Sequence, residues 1–284
     1  MVRDLRERSL CAINTATLGF QEPIAAVIEA IARAGFGGIA PWRREVEGQD
    51  VKAIARLIRD AKLAVTGYCR STYIPAPDRA GFAANVEINR RAIDDAATLG
   101  ASSFVMVVGG LPAGSKDIAG ARAQVAEASA LLLEHGKSLD VRIALEPLHP
   151  VYAAERSCLS LLSEALDLCE TIEGQSDDPW LGACLDVYHL WWDPNLKRDI
   201  ARAGAAKRIF GFHVCDWLVP TQDVLNDRGM MGDGVIDVPG IRREVEAADY
   251  NGLIEVEIFS AKNWWLRSMD ETLGVCAERF ATAV

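Results

Sequence analysis

Four ionisable residues, Glu146, Asp186, His213 and Glu257, each close a short apolar run: VRIALE, LGACLD, RIFGFH and GLIEVE. Such a run reads as a parallel strand buried on both faces, and its final polar residue marks the exit from the core. The four residues lie 40, 27 and 44 positions apart, each gap about one strand-loop-helix-loop unit long. Four consecutive parallel strands therefore bring three carboxylates and one imidazole to the same rim. Three oxygen donors and one nitrogen make a hard ligand set that suits one divalent ion, Mn2+, Mg2+ or Co2+, with Zn2+ also admissible. A single carboxylate at a strand end is ordinarily a helix cap or a loop ion pair. Four in register on successive strands are hard to obtain as independent caps, and this makes the chain an enzyme candidate.

The elements that must position these residues follow the same rhythm. Strand-like runs cover 10–18, 36–42, 63–69 and 102–110, followed by the four runs above. Helix-like runs cover 23–35, 51–62, 85–100, 117–139, 159–172, 195–204, 239–250 and 269–284. Eight alternations predict an α/β fold, a single (β/α)8 TIM barrel spanning 1–284 as one domain, with its chemistry at the C-terminal rim. Gly35, Gly100, Gly136 and Gly204 stand where helices would close. No linker, low-complexity tract or short repeat divides the chain. The longest irregular stretch, 218–238, is read as a lid or substrate wall over the rim.

Three of the four histidines, His149, His189 and His213, fall at or just past the rim, while His135 reads as a surface residue near a helix C-terminus. His149 in EPLHP and His189 in DVYH are placed to donate to substrate hydroxyls, or else to bond loop carbonyls. Asp216 in HVCDW can support a ligand or hold a substrate hydroxyl. Glu255 alternates with Glu257 and faces the barrel interior one layer below it. Trp42, Trp191, Trp192, Trp217, Trp264 and Trp265 lie at or beyond strand ends, where an aromatic wall could stack on a sugar ring or pack beneath loops.

Charge and composition narrow the partners. Forty acids against thirty bases give a net charge of −10, a poor footprint for nucleic acid or an anionic membrane. No apolar stretch suits a signal peptide or a membrane span, so a cytoplasmic protein is expected. Seven scattered cysteines without a CxxC pair point to reduced thiols and away from a cysteine-held zinc. Partners are expected to be small or neutral, a small-molecule carbohydrate once the resemblance below is added, and homo-oligomerisation is left open.

The segments IALEPLHP, LDVYH, FHVCDW, DRGMMGDGVIDV and IEVEIF, in that order and spacing, resemble the xylose isomerase-like TIM-barrel superfamily. The similarity runs nearly end to end and is strongest to inosose isomerase-like members of inositol catabolism and to ketose 3-epimerases. The resemblance implies that Glu146, Asp186, His213 and Glu257 bind one divalent ion, Mn2+ foremost. It further implies that Glu146 and Glu257 exchange protons with substrate, and that His189 and Arg228 contact substrate oxygens. Two departures stand out. The second strand ends IAPW, where many members carry an acidic residue, and the additional ligands of the trinuclear apurinic endonucleases are missing.

The chemistry suits these residues without the resemblance. A metal chelated by a carbonyl and its neighbouring hydroxyl acidifies the C–H between them and stabilises an enediolate. Two carboxylates on opposite faces can remove that proton and return it elsewhere. That inverts a carbon, moves the carbonyl or, if a β-hydroxyl leaves, eliminates water, and the residues do not select among these. Joined to the resemblance, the leading expectation is a metal-dependent isomerase or epimerase of a keto-sugar or keto-inositol. The same scaffold could host a lyase, dehydratase or hydratase acting on an inosose or 3-keto-glycoside, with His149 as the extra acid or base. An apurinic endonuclease-like phosphodiesterase is the remote alternative, and it fits the acidic charge poorly.

Overall fold

Short apolar segments that cannot satisfy their backbone alone pair into a parallel sheet. The computed structural model describes residues 3–284. Its strands are β1 (Cys11–Asn14), β2 (Gly38–Ala40), β3 (Ala64–Val65), β4 (Tyr68–Cys69), β5 (Ser103–Met106), β6 (Arg142–Leu145), β7 (Leu181–Asp186), β8 (Ile209–Val214), β9 (Asp216–Trp217), β10 (Arg228–Gly229) and β11 (Ile254–Val256). Nine of them form one parallel sheet in the order β3-β2-β1-β11-β8-β7-β6-β5-β4. β3 and β4 are the two halves of the run at 63–69, interrupted at Thr66 and Gly67, and they pair with β2 and β5 respectively. One interrupted strand thus joins both ends of the sheet. Parallel bridges Trp42–Cys69 and Val65–Ala101 tighten that seam.

The helices are α1 (Ile24–Arg33), α2 (Arg43–Val46), α3 (Val51–Asp60), α4 (Arg79–Leu99), α5 (Ile118–Ser138), α6 (Leu162–Glu173), α7 (Val187–Leu190), α8 (Leu196–Ala205), α9 (Val238–Ala247) and α10 (Met269–Ala283). The expected helical runs are all present, and α2 and α7 are single turns added at strand exits. Asp50, Asp78, Asp117, Asp237 and Ser268 start their helices by accepting the backbone N–H three residues on. The Asp78 cap makes α4 begin earlier than its expected start at 85. Gly35 and Gly100 end helices in the left-handed conformation. Gly136 and Gly204 instead sit inside α5 and α8. A Cβ there would come within 2.6 Å of the Val141 carbonyl oxygen and 2.5 Å of the Ala248 oxygen, so close approach explains these two.

Alternation along each strand decides what enters the barrel. Leu145, Leu185, Phe212 and Val256 pack outward in the large core beneath the helices. Ala144 and Cys184, two positions before Glu146 and Asp186, form a separate small cluster with Cys69 and Val105. Small residues in that layer leave room for the polar side chains above them. All seven cysteines are buried and unpaired, as their scattered placement led us to expect. No described helix is long and apolar enough to cross a membrane.

Candidate metal and substrate site

The parallel register sets the four rim residues side by side. Asp186 pairs with His213, and His213 with Glu255. The Glu146 N–H donates to Met106 O at 3.0 Å and the Glu257 N–H to Val214 O at 3.2 Å, which extends the ladder one residue past β6 and β11. One donor atom from each of Glu146, Asp186, His213 and Glu257 lies within 4.8 Å of the others, and all four residues are buried. His213 Nδ1 stands 3.3 Å from Glu146 Oε1 and 3.6 Å from Glu257 Oε2. Neither His213 Nδ1 nor Glu146 Oε1 has a hydrogen-bond partner among the described residues. Two buried polar atoms without a hydrogen-bond partner, facing each other among carboxylates, fit a cation that takes the place of the imidazole proton, because a buried polar atom left unpaired is otherwise costly.

The other edge of the imidazole is held from below. Glu255 Oε1 lies 3.2 Å from His213 Nε2, and Asn14 Nδ2 and Thr66 Oγ1 donate to Glu255 at 2.8 and 2.6 Å. Such a carboxylate-histidine pair fixes ring orientation and leaves Nδ1 to face the cluster. Asn14 also donates to Glu257 Oε1 at 3.0 Å and accepts from Trp42 Nε1 at 2.6 Å. Cys184 Sγ sits 3.2 Å from the same Nε2, so a second possible ligand group is Glu146, Cys184 and His213. Burial pushes that thiol up to about 12, which keeps it neutral and a poor ligand for a hard cation.

Charge is balanced locally and unevenly. Burial raises Asp186 to about 7, partly offset by Arg228. Glu257, equally buried, is nonetheless held at about 2 by the nearby His213 imidazole and by Arg228, which donates to it at 3.1 Å. His213 is pushed well above its ordinary value: burial opposes its charge, and Cys184, Glu255 and Glu146 outweigh that. A cation among these ligands would displace the imidazole proton. His189 is driven well below the ordinary imidazole value by burial and then by Arg228, which leaves it neutral.

Two expectations change once the loop is seen. Arg228 does not ride on a flexible lid: it is buried in β10, antiparallel to β9. Its Nη1 donates to Asp186 Oδ2 at 2.8 Å and to Glu257 Oε2 at 3.1 Å, and its plane lies over Tyr188 and Phe259. Asp216 does not line the cavity beside the cluster. Its carboxylate accepts the backbone N–H of Trp217, Gly232, Gly234 and Ile236, all within 3.0 Å. That pins the middle of the 218–238 segment to the rim. His149 stacks on Trp217 with ring centroids 4.9 Å apart, and its Nδ1 accepts the Val151 N–H. Its own backbone N–H donates to His189 Nδ1 at 3.2 Å. Of the expected substrate contacts, only His189 and Arg228 line the cavity, with Glu146, Glu257, Trp42 and Phe259.

Sequence reasoning missed Asn14 and two arginines on the cavity wall, Arg70 and Arg156. Asn14 was findable, since it ends the apolar run CAIN as the four ligands end theirs. The arginines lie in loops, which carry no periodic signal.

The arrangement yields an expected result for Arg228. Arg228→Ala removes the cation between Asp186 and Glu257 and should destabilise the protein in chelator by about 3–5 kcal/mol, the usual effect of breaking a buried pair. Added divalent ion should recover part of the loss by binding the folded state. Thermal melts with chelator and with Mn2+ test this, and an unchanged melt in chelator would show that the pairing contributes little.

A barrel with a carboxylate, carboxylate, imidazole, carboxylate rim defines a recognisable class. The sequence model of the family described as "Xylose isomerase-like TIM barrel" matches residues 28–275, and the chain belongs to that family. Protein SMc04130 from Sinorhizobium meliloti 1021 is 49% identical in its crystal structure, with 96% of this chain and 98% of that one covered and a TM-score of 0.92. The IOLI protein, solved with a bound zinc atom, is similar over 95% of this chain and 97% of that one at 15% identity and a TM-score of 0.80. D-allulose 3-epimerase from Methylomonas sp. is similar over 96% and 97% at 21% identity and a TM-score of 0.77. The last two show likeness of fold. No curated protein matches the chain.

Proposed function

We propose that the chain, acting as one unit over 1–284, is a divalent-metal-dependent isomerase or epimerase of a keto-sugar or keto-inositol. The observation that carries this reading is the pair Glu146 and Glu257, two carboxylates 3.3 and 3.6 Å from His213 Nδ1 that share one cavity. Glu146, Asp186, His213 and Glu257 would hold the ion, with Mn2+ favoured by the oxygen-rich donor set. When bound, such an ion polarises a carbonyl and the adjacent hydroxyl and so acidifies the C–H between them. One glutamate would then accept that proton and the other return one, to the neighbouring carbon in an isomerase or to the opposite face of the same carbon in an epimerase. Neutral His189, with Arg228 beside it, orients the oxygens, and the aromatic wall of Trp42 and Phe259 limits water.

The zinc in the IOLI structure and the activity named for the D-allulose epimerase support the metal and the reaction class. His149 supports an isomerase over a lyase, because the acid or base a lyase would recruit is stacked on Trp217 and does not line the cavity. Both possible ligand groups share Glu146 and His213, which supports a single-ion centre over a multinuclear phosphodiesterase.

Incubation in D2O with Mn2+ and a panel of keto-sugars and inososes tests the reading. Deuterium should enter a carbon next to the carbonyl of at least one compound, in a chelator-sensitive way. Exchange in no member, by protein with bound metal, would count against it.

A further inference from the structure

Arg70 and Arg156 face the same cavity as Glu146 and Glu257, and no function described above uses them. Arg70 follows β4 directly and Arg156 lies in the loop after β6. Each guanidinium lies over an aromatic ring, Arg70 over Tyr73 at 4.6 Å and Arg156 over Tyr152 at 5.3 Å. Stacking holds the planes and leaves the N–H edges free to bind. Among the described residues Arg70 donates only to Ser71 O at 3.1 Å, while the buried Nε of Arg156 has no partner. Neither arginine forms an ion pair with a described carboxylate. Burial and the charge of Arg156 pull Arg70 below the usual arginine range, against a smaller opposing pull from Tyr73 and Glu146.

Counting charge shows what is lacking. The carboxylates of Glu146, Asp186 and Glu257 are offset by Arg228 and one divalent ion, and Glu255, in the layer below, meets His213, Asn14 and Thr66 rather than the two arginines. Arg70 and Arg156 then remain two half-buried cations with no described carboxylate at ion-pair distance, an arrangement that costs free energy unless an anion completes it. Guanidinium edges match the planar, paired oxygens of a carboxylate or phosphate.

We propose that Arg70 and Arg156 form an anion subsite, and that the substrate is a keto-sugar bearing a carboxylate or phosphate group remote from its reacting carbonyl. The proposal rests on the isomerase or epimerase reading and narrows its substrate class. Neutral inososes and unmodified hexoses become poor substrates.

D-fructose, D-fructuronate and D-fructose 6-phosphate share one backbone and differ in charge at the last carbon. Calorimetric binding to the Mn2+-loaded protein should show at least one acid binding about 10-fold or more tightly than D-fructose, the scale of one charged hydrogen bond. The preferred acid separates a carboxylate from a phosphate subsite. R70M and R156M, which keep the aliphatic stem, should bring the acid-to-neutral ratio close to one, and R70K should retain part of it. Melts and metal content confirm that each variant is folded and loaded. Equal binding of all three sugars, no measurable binding of either acid, or an acid advantage that survives both Met variants overturns the subsite. Arginine-dependent acid binding without deuterium exchange would retire the isomerase reading and keep the subsite. Exchange in D-fructose with no acid advantage would do the reverse.

Discussion

His213→Ala and Asp186→Asn should each lose metal and turnover together, and these are the largest effects we expect. His213 contributes the one nitrogen of the cluster, and its Nδ1 has no partner except the site it faces. Disturbing the partners of metal ligands typically costs 10–100-fold in affinity, so deleting a ligand should cost more than about 100-fold. Asp186→Asn keeps the shape but removes a charge that Arg228 and the ion share, and it sets an amide against the Arg228 guanidinium at 2.8 Å. Metal analysis after dialysis, together with exchange in D2O, measures both losses. A variant that keeps full activity in chelator would show that the ion is not held here.

Glu146→Gln and Glu257→Gln separate holding the ion from moving protons. An amide oxygen still coordinates but cannot accept a proton, so each variant should retain part of its metal and lose about 10²–10⁴-fold in turnover, the range for general acid-base catalysis. Glu257 carries more of the ion-pair network, with Arg228 at 3.1 Å and Asn14 at 3.0 Å, so its variant should lose more metal than that of Glu146. With two bases acting on different positions, one variant can still exchange a proton that it cannot deliver onward. Near-normal turnover in both, with metal bound, would move the acid and base to other residues.

What the chain determines locally is the rim. Period-two alternation in a buried strand selects which residues enter the barrel, and a polar residue ending an apolar run marks the exit. Glu146, Asp186, His213, Glu257 and the lower Glu255 were legible on that ground alone, as were the strand-helix order and most helix starts. The tertiary structure decided which partners these residues meet. Asn14 reaches Glu255 and Glu257 across more than 240 positions of chain, and Arg228 reaches Asp186 across 42. Asp216, which looked like a substrate contact, became the anchor of its own loop because four backbone N–H groups of the 217–236 stretch turn toward it. Arg70 and Arg156 came together on one wall although neither sits in a periodic element. Alternation encodes the face on which a side chain stands. Pairing between distant loops depends on barrel closure, which no local pattern records.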